Sequence, residues 1–212
     1  MPLQNRVLPT GEIVAHPARG MFTGNRGIIH NPATRTLLRK RWSTDAWLIC
    51  VLEFRGRRRQ VMQRQSWTEL FFLDEATAFA AGHRPCFYCR RDDANRFRAA
   101  WEKGNRTGAV LAPEMDAVLH RERFASGRKL HPLPKTIDRL PDGAMVQAGE
   151  ESFLIVGGKP QMWSPSGYRA VKGGIGDARL SDARLLTPPS VVRAFAAGYR
   201  PVIHPSAGRI LR

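Results

Sequence analysis

The chain has 212 residues, with 34 Lys+Arg against 18 Asp+Glu, a net charge of +16 and a pI of about 11.2. That length supports one substantial domain or two small ones with a proper core. No apolar run approaches the ~20 residues that span a bilayer, and MPLQNRVLPTGE lacks the basic start and apolar core of a secretion signal. Three cysteines, two of them in a metal-type spacing, argue against a disulfide framework and for a reducing, cytoplasmic setting. The excess charge points to nucleic acid as the partner, because Arg forks suit phosphate oxygens and guanine edges. A composition enriched in Arg for reasons unrelated to binding is the competing explanation.

Residues 1–25 mix Pro, Gly and polar residues with short apolar runs, and read as a leading arm that joins a sheet near Met21-Phe22. The segment from Asn31 to Trp42 is a strongly basic loop or short hairpin. Trp47 to Phe54 is a near-continuous apolar strand. Arg55-Gly56-Arg57-Arg58-Arg59 reads as a turn, and Gln60 to Arg64 as the returning strand of a hairpin. Ser66 to Phe72 supplies a third strand. Between Arg26 and Arg64 stand ten Lys/Arg and two acidic residues, so half of the net charge lies on about a fifth of the length. Arg35, Arg39, Lys40, Arg41, Arg55, Arg57, Arg58 and Arg59 are therefore the candidate nucleic-acid contacts; the partner expected is DNA, with RNA as the alternative. Trp42 and Trp67 are candidate stacking platforms, although each taken singly reads as a core residue.

The segment Leu70 to Asp92 organises the rest. LFFLDEATAFAAGHRPCFYCRRD reads as a buried strand, a short Ala-rich helix opened by an acidic turn and closed by Gly82, then a tight turn carrying Cys86-x-x-Cys89. Such a turn brings two thiolates within reach of one tetrahedral metal, of which zinc is the usual occupant. Two more ligands are needed and no second CxxC exists. His30, Cys50, His83, His120 and His131 are the candidates. Cys50, in the middle of an apolar strand, reads as a buried inert thiol. A metal-free pair at a helix N-terminus would instead be redox-active.

This segment resembles the second half of the zinc-binding domain of the Ada DNA-repair methyltransferase and its small Ada-like relatives, with their strand, Ala-rich helix and Gly-aromatic-Arg-Pro-Cys-x-x-Cys. The similarity covers residues 20–92 and is strong over 70–92. Gly24-Asn25-Arg26-Gly27-Ile28-Ile29-His30 is similar to the relatives' segment that ends in a metal-ligating His or Cys. The resemblance thus implies His30 as a zinc ligand beside Cys86 and Cys89, packing for His83, which stands where the relatives have an aromatic residue, and a role in DNA repair or processing. The family's upstream Cys-x-x-x-Cys has no counterpart here; Cys50 is the only upstream thiol.

Beyond the turn, Arg90 to Lys103 reads as a helix with Asp92 and Asp93 near its N-terminus, Phe97 and Trp101 on one face and Gly104 as its stop. Pro113 opens a second helix, Glu114 to Phe124. On it Asp116 and His120 are four apart and share a face, the spacing at which a carboxylate orients an imidazole for base catalysis or metal binding; both are candidate catalytic residues, with a surface histidine as the plainer reading. Residues 128–141 are loop-like. Ala144 to Gln147, Ser152 to Val156 and Gln161 to Trp163 read as strands of an antiparallel meander or small barrel. A Gly-rich loop follows at 169–182, then a helix from Val191 to Ala197 and a Pro-rich tail.

The expectation is therefore an α+β protein. Residues 1–127 would form a basic zinc domain built on a small antiparallel sheet, and residues 128–212 a β-rich domain. Three function classes follow: a zinc-containing DNA-binding protein, a metal-dependent nuclease or repair enzyme, and an RNA- or protein-interaction factor.

Overall fold

The computed structural model describes residues 1–56, 60–63, 66–124, 130–171, 180 and 182–210. In chain order these form β1 (Gln4–Val7), β2 (Ile13–Ala15), β3 (Phe22–Asn25), β4 (His30–Asn31), β5 (Thr36–Leu37), β6 (Leu48–Cys50) and β7 (Leu70–Phe72). Next come α1 (Glu75–Ala80), β8 (Arg84–Pro85), α2 (Arg91–Asn105) and α3 (Ala112–Phe124). The C-terminal part contains β9 (Met145–Ala148), β10 (Glu151–Val156), β11 (Lys159–Ser164), β12 (Gly167–Ala170), β13 (Arg184–Leu185) and α4 (Pro189–Ala196). The protein is α+β, as expected.

The first sheet has the order β2-β1-β7-β3-β6-β8 and is mixed rather than purely antiparallel, because β1 pairs with β7, and β6 with β8, in parallel. The leading arm joins it earlier than expected, as the β1–β2 hairpin. The apolar strand is also shorter: after Cys50 the chain leaves the sheet, and Gln60–Gln63 does not return as a strand. Its expected hairpin tip, Arg57–Arg59, and Arg64 lie outside the described residues. The geometry explains the difference. A strand has two edges, and those of β6 are taken by β3 and β8.

One face of this sheet carries Val7, Ile49, Leu70 and Phe72 into a core completed by Phe79 of α1, Phe97 and Trp101 of α2, and Val191 and Phe195 of α4. Helix α1 is short, and it starts where the Asp74 carboxylate accepts from Thr77 N at 2.8 Å. It stops at Gly82, whose φ of +84° is costly for any residue with a Cβ. Gly104 is not the stop that its position suggests. Helix α2 runs through it to Asn105, and a Cβ there would lie 2.2 Å from the carbonyl oxygen of Arg193. Gly104 is thus the point where α2 and α4 cross, and its missing side chain sets their separation.

The second sheet, β12-β11-β10-β9-β13, is an antiparallel meander with two free ends, not a closed barrel. The turn at Pro165-Ser166 joins β11 to β12, a strand that the sequence reading lacked. Its core, around Val146, Phe153, Ile155 and Leu185, also takes Val192 of α4. The Gly-rich loop lies mostly outside the described residues.

Both packing and hydrogen bonding cross the division expected at residue 128. Asp74, fully buried, accepts from Tyr168 Oη at 2.7 Å and from His204 N at 3.0 Å. Glu75 accepts from Tyr199 Oη and from Val202 N, each at 2.8 Å. Burial raises the Asp74 carboxyl, and these donors act against that shift.

Three substitutions check this packing. Gly104→Ala destabilises by about 2 kcal/mol or more in urea unfolding, because α2 and α4 are pushed apart. Gly108→Ala, with nothing within 4 Å of its Cβ, stays within about 0.5 kcal/mol of the parent. Tyr168→Phe, which removes a donor to a buried carboxylate, costs about 1.5–3 kcal/mol in the same assay.

Candidate metal centre

The CxxC turn starts from β8, the last strand of the first sheet. Arg84 N donates to Trp47 O and Cys86 N to Ile49 O, each at 3.0 Å, so β8 runs beside β6 and delivers Cys86 next to Cys50. Cys89 follows after one tight turn, with Arg90 N donating back to Cys86 O at 3.0 Å. The outcome is a group of three thiols, Cys50, Cys86 and Cys89, whose sulfurs all lie within 4.8 Å of one another. Tetrahedral zinc with Zn–S bonds of about 2.3 Å separates its sulfurs by about 3.8 Å, which is within that spread.

Two buried ion pairs hold the turn from either side. Arg84 reaches Asp116 of α3 through a two-pronged contact, Nε to Oδ1 at 2.8 Å and Nη2 to Oδ2 at 2.6 Å. Arg90 lies 2.7 Å from Glu75 on α1 and 2.7 Å from Asp93 on α2, with its guanidinium over the ring of Phe22. Planar forks of this kind fix orientation as well as charge.

The thiols perturb one another strongly. Cys86 is pulled well below the ordinary thiol range, first by the Cys50 S–H and then by Cys89. Cys50 is pushed far up, by its hydrogen bonds to Cys86 and Cys89 and by burial. For Cys89, the Cys50 hydrogen bond acts downward, yet Cys86 and burial leave it raised. Three thiolates this close would repel one another, and a cation among them offsets that repulsion. The donor set fits a soft or borderline metal such as zinc.

The other expected ligands are placed elsewhere. His30 is buried on β4, with Nδ1 2.7 Å from Thr68 Oγ1, and is not part of the three-thiol group. His83 is packed as its position implied: its ring lies against Trp47 and Phe72, and it accepts from Arg26 Nε at 3.3 Å. His131 bridges to Leu185 of β13. Cys50, read as inert, is the third sulfur. The signal was its parity: Cys50 is paired with Thr23 and faces away from Ile49, which enters the core.

Asp116 and His120 do not form the expected dyad. Asp116 is committed to Arg84, and His120 Nδ1 lies 3.0 Å from Asp45 Oδ1 in a surface cluster with Trp42 and Phe124. Asp116 thus positions the CxxC turn. Trp42 is 39% exposed rather than in the core, at the edge of that cluster.

The three cysteines line a cavity of about 990 Å³. Arg35 at the tip of the β4–β5 hairpin and Arg55 after β6 line it too, as do Arg6, Arg19 and His16. Phe54, Trp67, Phe71 and Tyr88 supply aromatic surface, and Glu69 is the acidic residue among the described lining. Arg39, Lys40 and Arg41 are exposed on the segment following β5. No helix among the described residues is long and apolar enough to cross a membrane. Compared with family models, curated proteins and solved structures, the chain matches none.

The roles of Asp116 and His120 separate by mutation. Asp116→Ala strands the Arg84 charge in a buried site and costs about 3–5 kcal/mol by denaturant unfolding. His120→Ala, at a partly exposed pair, costs less than about 1 kcal/mol.

Proposed function

We propose that the protein is a zinc protein, with Cys50, Cys86 and Cys89 as thiolate ligands and a fourth coordination position toward the cavity, and that it binds DNA across the basic surface around that opening. The observation that carries the reading is the convergence of three thiols from β6 and the turn after β8, with both flanks of the CxxC turn held by buried ion pairs. Sites built by such supporting contacts hold a metal in fixed geometry. The resemblance of residues 70–92 to the Ada-like zinc domain supports zinc as the ion and DNA repair or processing as the setting. Arg35, Arg39, Lys40, Arg41 and Arg55, all exposed, supply the phosphate contacts in this reading. A cytoplasmic location agrees with three reduced cysteines.

Metal analysis of protein purified without added metal checks the centre. The expected content is one zinc per chain, lost in Cys50→Ser and Cys86→Ser and kept in His30→Ala. An empty parent protein sinks the proposal. DNA affinity is checked by titration at several salt concentrations: reversing Arg35 and Lys40 to Glu lowers affinity for unrelated sequences alike and flattens the salt dependence by about one unit of slope per lost phosphate contact.

A further inference from the structure

Four residues lie side by side across the first sheet. Arg6 on β1 is in register with Phe71 on β7, Phe71 with Thr23 on β3, and Thr23 with Cys50 on β6. Partners in register project from the same face, and all four line the cavity. The row therefore runs along the cavity wall from a guanidinium to the metal centre. Three strand spacings of about 4.8 Å put its ends about 14 Å apart at the backbone.

Arg6 is the unexplained member. It is 8% exposed, and its Nε and Nη1 are buried with no hydrogen-bond partner among the described residues. Its guanidinium lies 5.3 Å from the centre of the Phe71 ring, a contact that leaves Nε and Nη1 unmatched. A buried cation with unsatisfied donors is costly unless a counter-charge reaches it, and a fork of N–H groups suits a planar or tetrahedral oxyanion. Beside it the wall is apolar and aromatic, at Phe71 and, further on, Tyr88.

We propose that this cavity is a binding site for a small organic oxyanion, a carboxylate or a phosphate ester, whose headgroup is held by Arg6 and whose apolar body lies over Phe71 and Thr23 toward the three cysteines. The site depends on the sheet face and not on the presence of zinc. It differs from the DNA surface in selecting a discrete molecule with an apolar part, where phosphate-backbone contacts accept any sequence of charges.

The test uses phenyl phosphate, benzoate and inorganic phosphate, titrated into the full chain as purified and followed by calorimetry and by the Nε–H resonances of its arginines. Phenyl phosphate or benzoate binds at least about tenfold more tightly than inorganic phosphate, because the ring is buried as well as the charge. The Arg6 resonance shifts, and Arg6→Met loses at least about tenfold in affinity. The tighter of the two aromatic probes identifies the headgroup. Failure of both to bind, binding that leaves the Arg6 resonance in place, or equal binding by folded Arg6→Met overturns the proposal. If Arg6→Met does not fold, the resonance in the parent protein decides alone. Zinc content, measured on the same sample, reports separately on the metal centre.

Discussion

Two backbone hydrogen bonds, from Arg84 N to Trp47 O and from Cys86 N to Ile49 O, place β8 beside β6, and the candidate site depends on them. They close the edge of the first sheet, bring the CxxC turn to Cys50, and leave β6 no free edge for a returning strand. Two such bonds are weak by themselves, each contributing about 1 kcal/mol. The ion pairs of Arg84 and Arg90 hold the same turn through α3, α1 and α2. Register, side-chain charge and helix placement thus agree on one position for Cys86 and Cys89.

What was legible in the sequence was local. The Asp74 cap, the Ala-rich helix, the CxxC turn and the meander of β9 to β11 each follow from residues a few positions apart. What was not legible was pairing at a distance. Cys50 stands 36 positions before Cys86, and nothing in an apolar strand says which neighbour it will meet. His30 was favoured for its place in a motif, but Thr68 receives it. Asp116 and His120 had the right helical spacing for a dyad, and each found a stronger partner from another element: Arg84 for one, Asp45 for the other. Gly104 looked like a helix end because a crossing helix leaves no mark in the helix it crosses.

The basic surface and the cavity share residues but use them differently. Arg35 and Arg55 stand at the opening, exposed, where a charge is hydrated and cheap to hold. Arg6 is within the wall, where the same group is dehydrated. Cations of the first kind attract many anions weakly, and a cation of the second kind discriminates, because only a ligand that satisfies its donors offsets the cost of its burial.

Helix α4 adds a condition on the order of folding. Val191 and Phe195 complete the core formed by Phe79, Phe97 and the first sheet, yet Val191 stands 94 positions after Phe97. During synthesis the first sheet, the CxxC turn and α2 precede α4, and that aromatic surface stays uncovered until α4 follows. The cysteines are thus brought together beside a core that is still open, and the first sheet gains its full packing only when α4 docks.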